Sequence, residues 1–285
     1  MALFGMFNYA KPGPGVDKDA PKKKRFFYFF ELYFRKFWKL VELNLLFCLC
    51  CLPVVTIGPA IAGMTYILRN FAQERPVFMV SDFWDAFKSN FKQGFCIWFL
   101  DVLVTGIASV AFAWYFINSG MSWAMAIPLG LCILAEILLM FMRFYSYLMV
   151  VTVDLPVKHI IKNAAIFSFL GAKTNFITLF FVLLITVPMV LFFPITILPM
   201  LFVGFTTLAF IAVYNSYPYL VKYIIEPHER QIRGETDEDD EDDDDEDDEY
   251  EDEDDEDDDA PIFTDIGSRE VPVQQEKKGK QKVIR

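Results

Sequence analysis

Histidine is almost missing from this chain: the 285 residues hold only His159 and His228. The sequence also lacks a nucleophile elbow, a phosphate-binding glycine loop, a His-Glu-x-x-His zinc motif and a dinucleotide fingerprint. The residue types of the familiar chemistries are therefore absent, and the expectation is no enzyme and no cofactor. The five cysteines, Cys48, Cys50, Cys51, Cys96 and Cys132, all lie inside apolar runs, where a thiol acts as a small hydrophobe, so no disulfide framework and no metal site are expected. No cleavable leader is read either, because the first apolar run, Met1–Phe7, is too short.

What the chain has in excess is apolar and aromatic side chains, 54% and 17% of residues, well above soluble averages. The net charge of −12 misleads, because 23 of the 38 acidic residues fall between Glu235 and Asp259, leaving residues 1–234 basic, with 20 Lys/Arg against 12 Asp/Glu. Lys22-Lys23-Lys24-Arg25 resembles a nuclear-localisation run, but charges before a membrane segment are what topology requires, and no nucleic-acid partner is expected.

Four runs are long enough to cross about 30 Å of hydrocarbon: residues 94–117, 122–142, 175–193 and 195–214. An earlier apolar region, 37–68, is broken by Pro53 and by Gly58-Pro59 and must bend. Lys and Arg cluster at 11–39, 69–92, 143–173 and 222–233, whereas the turns near 118–121 and 193–196 carry no charge. If every basic cluster faces the cytoplasm, the chain crosses an even number of times between clusters, and 37–68 is a tight or re-entrant hairpin. The predicted fold is an all-α, polytopic membrane bundle: about five to six transmembrane helices in three hairpins, interfacial amphipathic helices and a disordered tail. The predicted segments are a basic, aromatic cytoplasmic segment 1–36, a transmembrane domain 37–225 and a cytoplasmic acidic tail 226–285. Each hairpin enters through basic and aromatic residues and leaves through tyrosine followed by proline, which suggests a threefold repeat.

Two stretches read as interfacial anchors against the lipid bilayer. One is Phe26–Trp38, with nine aromatics; the other is a helix started by Ser81 and favoured at its positive end by Asp82 and Asp85. Phe83, Trp84, Phe87 and Phe91 follow at helical spacing, with Lys88 and Lys92 placed for headgroups.

Ionisable residues inside spans are functional candidates because they cost a few kcal/mol to bury in lipid. With a turn near 119–120, Asp101 falls opposite position 138, in reach of Glu136 and Arg143, so either an Asp101–Arg143 pair or a proton shared by Asp101 and Glu136 is open. Glu42 mirrors Arg69-Asn70 about Thr56, and Asn175 mirrors Asn215 about Ile195. A polar belt near the cytoplasmic side follows, which either fixes packing or lines an ion, proton or solute site.

Asn44-Leu45-Leu46, the turn Leu52-Pro53-Val54-Val55-Thr56-Ile57-Gly58-Pro59-Ala60, and Asp82-Phe83-Trp84 followed by Phe87-Lys88-Ser89-Asn90-Phe91-Lys92 resemble the YesL family of bacterial integral membrane proteins. The turn residues Pro53, Thr56, Gly58 and Pro59 carry most of the likeness. The loop charges and three hairpins predict both termini cytoplasmic; the resemblance implies a bacterial inner-membrane protein, in a family often encoded near carbohydrate ABC transporters and carbohydrate-utilisation genes, with no established activity and no catalytic residues to transfer. The expected role is a non-catalytic accessory factor, with a small transporter or channel around Asp101, Glu136 and Arg143 as the alternative. The acidic block departs from the short family ending; it self-repels, and it either solubilises or engages a basic partner.

Overall fold

The computed structural model describes residues 25–118, 120 and 123–233. The acidic run and the first 24 residues lie outside them. Every regular element among the described residues is helical.

The first hairpin pairs α1 (Arg25–Cys50) with α2 (Ile57–Ala72). Between them Pro53 starts a single 3-10 turn, Val54–Thr56, and the Thr56 hydroxyl closes it by donating to the carbonyls of Cys50 and Pro53, each at 2.6 Å. Pro59 falls in the first turn of α2, where its missing N–H costs nothing. The other end of α2 stops on Glu74, whose φ of 55° makes a left-handed cap: Glu74 N–H donates to Phe71 O and Arg75 N–H to Asn70 O. The Tyr28 hydroxyl and the Arg35 guanidinium both bind the Glu74 carboxylate and hold that cap against α1.

An extended link through Pro76 leads to α3 (Met79–Ser89), and the second hairpin follows, α4 (Phe91–Asn118) and α5 (Ala126–Thr152). A second extended link through Pro156 leads to α6 (Val157–Leu170), then to the third hairpin. Its first arm is α7 (Ala172–Leu191); its second begins at α8 (Ile197–Pro199) and continues through the π-helical segment Met200–Gly204, α9 (Phe205–Leu220), the π-helical segment Val221–Ile225 and α10 (Glu226–Arg233). The order of hairpin, proline link and connecting helix thus occurs twice. In the third instance the helix does not break at Pro227, which sits in the first turn of α10 directly after a π-segment. Helix therefore extends to Arg233, past the boundary at 226 drawn from the sequence.

Contacts fix the relative direction of the arms. Arg25 donates to Tyr214 O at 2.9 Å, Tyr33 bonds Thr207 at 2.9 Å, and Asn44 reaches Met200 O at 3.2 Å, so α1 runs antiparallel to α9. Gln73 meets Tyr217, and Arg69 meets Val151 O, so α2, α5 and α9 run the same way. The three hairpin turns therefore lie at one end of the bundle, and the basic connections at the other.

The centre is α2: 13 of its 16 residues are buried. Only Gly94 and Ile97 are buried on the 28-residue α4. Among the described residues four helices are long and apolar enough to cross a membrane: Phe91–Asn118, Ala126–Thr152, Ala172–Leu191 and Ile197–Arg230. These match the four runs read from sequence, although α5 continues ten residues beyond Met142, where its last turns enter the core. The first hairpin falls outside that set for physical reasons. Arg35, Lys36, Lys39 and Glu42 interrupt α1, and α2 is short because other helices rather than lipid surround it.

Candidate functional site

The sequence-predicted polar residues separate into three places. The first is a cleft of about 680 Å³ between the α4–α5 and α7–α9 hairpins, floored by Ile61 and Thr65 of α2. At one end Arg143 Nε donates to Asp101 Oδ1 at 2.8 Å and Oδ2 at 3.0 Å, while its Nη2 donates to the Thr105 hydroxyl. Of the two pairings open in the sequence, the structure selects Asp101–Arg143. Glu136 does not share a proton with Asp101; it accepts from Ser109 Oγ at 3.0 Å, one level further along the same hairpin. The side chains of the pair are 27% and 34% exposed, so both reach the cleft. Tyr147 lines the same cleft at 8% exposure. Its hydroxyl is buried without a hydrogen-bond partner among the described residues.

Arg69 and Asn70 occupy the second place, at the basic end of the bundle. Arg69 is 5% exposed, lies over the Tyr66 ring at 4.8 Å and donates to Val151 O at 2.7 Å and Thr152 Oγ1 at 3.2 Å. Its charge therefore sits on the negative C-terminal end of α5, where a cation is favoured. The mirror relation with Glu42 does not bring the two together. Glu42 is exposed on the outer face of α1, among Trp38, Leu45 and Leu49, because the helical period turns it away from α2.

The third place is the base of the third hairpin. Asn175, fully buried, accepts from Tyr145 Oη at 2.8 Å and donates to the carbonyls of Phe167 and Ser168, tying α5, α6 and α7 together. Asn215 donates to Thr178 Oγ1 at 3.0 Å. The two asparagines thus share a level but not a bond, and each satisfies helix-packing needs.

Two positions carry more than the sequence revealed. Asn44, quoted above only for the family likeness, is fully buried and spans the π-helical segment: its Nδ2 donates to Met200 O and Leu201 O, and its Oδ1 accepts from Thr206 N–H at 3.0 Å. A π-segment shifts the backbone register and leaves groups unpaired, and Asn44 pairs them. Gly58 touches Gly94 across the α2–α4 crossing; a Cβ on Gly58 would stand 2.3 Å from Gly94 O. A buried polar residue level with a proline-rich helix start was the available signal for Asn44; nothing marked Gly58 and Gly94 as partners.

The connecting helix α3 also differs from expectation. It starts at Met79 rather than Ser81, and its free amide end is satisfied by Asp82, whose Oδ2 accepts from Phe78 N–H at 2.9 Å. Phe83 and Phe87 face the core, Phe83 against Gly63, while Trp84 and Lys88 stay on the surface. Among the described residues no three His, Cys, Asp or Glu side chains gather as a metal site would.

Among the described residues, fold and site together define an all-helical bundle consistent with a membrane bundle, with polar groups held between helices long and apolar enough to span a bilayer. One family model, described as "Protein of unknown function, DUF624", matches residues 40–112. That stretch runs from the second half of α1 into α4 and contains every residue on which the YesL likeness rests, the Gly58–Gly94 crossing and Asp101; it stops short of Arg143 and Tyr147. No curated protein and no solved structure matches the chain.

Proposed function

We propose that this chain is a YesL-type, multi-pass protein of the bacterial cytoplasmic membrane, with both termini cytoplasmic, that acts without catalysis as an accessory factor to a carbohydrate uptake or utilisation system. The observation that carries the accessory role is the α4–α5 hairpin. Its apolar windows are only 6% and 11% buried within the chain, so it is docked by one end and projects as an arm. Ile107, Val110, Trp114, Ile127 and Leu131 lie exposed along it. In lipid such a surface is stable, and it is also the kind of surface on which van der Waals packing joins helices of different chains. The membrane domain of a carbohydrate ABC transporter is the proposed partner. The basic cytoplasmic ends follow the positive-inside rule, and the acidic run beyond Arg233 supplies a second contact for a basic partner.

Copurification in mild detergent tests the reading. Wild type is expected to retain a transporter subunit, and a variant with Val110, Trp114 and Ile127 each changed to Ser is expected to lose it. A partner-free wild type overturns the accessory role.

The second reading, a small transporter or channel, is favoured by the Asp101–Arg143 pair in the cleft. Reconstituted flux that is present in wild type and lost in Asp101→Asn would select it.

A further inference from the structure

Of the four charges that interrupt α1, two are met within the chain: the Arg35 guanidinium by the Glu74 carboxylate, and Lys36 by the Phe71 ring, whose centre lies 5.4 Å from Nζ. Lys39 and Glu42 are both exposed, and among the described residues neither forms an ion pair. We propose that they pair between molecules, Lys39 of each copy with Glu42 of the other, in a parallel dimer packed along the outer face of α1. The inference rests on reading the chain as a bilayer protein but not on the accessory role, which uses the α4–α5 arm.

Depth is what calls for a partner. α1 lies against the spanning helix that contains α9: Thr206 Oγ1 donates to Leu40 O at 3.2 Å, and Asn44 binds Met200 O and Leu201 O. Glu42 is therefore level with residues 200–206, about 12 Å short of the outer end of α1 at Cys50 and about 25 Å from its basic end at Arg25. A lysine at such a level extends its stem towards the headgroups, but a glutamate side chain is too short to do so. A carboxylate turned towards hydrocarbon is strongly disfavoured, and a neighbouring helix that brings a cation removes the penalty.

The surroundings of Glu42 suit a helix, and symmetry selects which one. Trp38, Glu42, Leu45 and Leu49 follow at intervals of four, three and four residues down the exposed side of α1, the period along which two helices pack, with one charged residue in an apolar seam to fix the register. Every copy inserts in the same direction, because its basic connections stay cytoplasmic. A two-fold axis along the membrane normal then sets each residue beside its own counterpart at equal depth. Lys39 and Glu42 are three residues apart, about 4.5 Å in depth, a difference that the lysine stem spans, and the axis makes the two pairs reciprocal. The two lysines also offset the approach of the two Glu42 carboxylates across the axis. The face is thus self-complementary, supplying both charges of the contact it needs. A transporter helix would have to bring an acid and a base of its own to the same two levels.

The test uses the full chain, purified and reconstituted in phosphatidylcholine liposomes, with donor and acceptor fluorophores on separate copies. Wild type is expected to show energy transfer that fades on lipid dilution as a dimer dissociates. Glu42→Gln removes the charge with little change of shape and is expected to raise the dissociation constant about tenfold, the ratio for one interhelical polar contact. Lys39→Glu and Glu42→Lys, each alone, are expected to lose transfer, and their mixture to regain it, because both pairs are rebuilt with a charge of each sign. Leu45→Cys, in a background without the native five cysteines, is expected to crosslink to itself under mild oxidation, whereas Val110→Cys on the arm is not. A wild type that stays monomeric at every lipid ratio overturns the proposal. So does a Glu42→Gln dimer as tight as wild type, crosslinking at Leu45→Cys no stronger than at Val110→Cys, or a mixture of helical reversed chains that associates no better than either alone. Should a reversed chain lose its helix by circular dichroism, the Glu42→Gln and Leu45→Cys results decide. The liposomes hold no transporter, so dimer formation is read apart from the accessory role, and Glu42→Gln is expected to capture the transporter subunit as wild type does.

Discussion

Replacing Gly58 by alanine is expected to be the most damaging one-carbon change in the bundle. The added Cβ would lie 2.3 Å from Gly94 O, 2.7 Å from Gly94 C and 2.8 Å from Trp98 Cβ. Two of those three atoms are backbone, so no rotamer change removes the clash; α2 and α4 must separate by about 1 Å to restore ordinary contact. Overpacking of this kind costs about 3 kcal/mol, at the upper end of the usual range. The same contact approached from the other side is looser: a Cβ on Gly94 meets Gly58 O at 3.0 Å and Gly58 C at 3.1 Å, which asks for a shift of a few tenths of an ångström and about 1 kcal/mol. Gly106→Ala, with nothing within 4 Å, is expected to be neutral or to stabilise by up to about 1 kcal/mol through helix propensity. Equilibrium unfolding of the three variants in mixed dodecyl maltoside and SDS micelles, followed by far-ultraviolet circular dichroism, gives the ranking directly. The reasoning fails if Gly58→Ala unfolds with wild type, or if Gly94→Ala is the worse of the two.

Asn44→Leu keeps the volume but strands Met200 O, Leu201 O and Thr206 N–H at the π-segment, and is expected to lose about 2–4 kcal/mol in the same unfolding assay; a loss under 0.5 kcal/mol would show those groups pair otherwise. Asp101→Asn leaves Arg143 without its counter-charge in a largely buried site and is expected to destabilise by about 1–2 kcal/mol, with Arg143→Met restoring most of it in the double variant. Single cysteines at Val55 and Asn118, in a background without the native five, are expected to react with an impermeant maleimide in intact cells. One at Ser81 is expected to react only after permeabilisation, and the reverse pattern would invert the topology.

Much of this architecture was legible because membrane helices obey two strong constraints, length and loop charge. The residues of α4, α5, α7 and α9 could hardly be read otherwise, and the neutral turns at 118–121 and 193–196 fixed their pairing. Asp101–Arg143 followed from counting residues back from a turn. Glu42 failed by the same method, because mirror symmetry about a turn gives depth along a helix but not the direction around it. The burial of α2 was also hidden: its sequence is less apolar than those of α4 and α5, and its central place comes in part from Gly58 and Gly63 letting α4 and α3 close on it. The start of α3 was misplaced because Asp82 reaches backward to Phe78, a geometry that a forward search for caps overlooks.

The unbroken rod from Ile197 to Arg233 sets an electrical separation. Ala209 borders the cleft, and Arg233 is the last described residue before the acidic run begins in sequence. Twenty-four residues of helix put about 36 Å between them along the rod. In water at physiological ionic strength fields between solvated charges decay over about 8 Å, so solvent screens a charge at the departure point of the tail on its aqueous side. The rod therefore works as a spacer: the chain carries a large negative charge at one terminus, while the neutral pair in its cleft stands well back along the rod from the point where the tail departs.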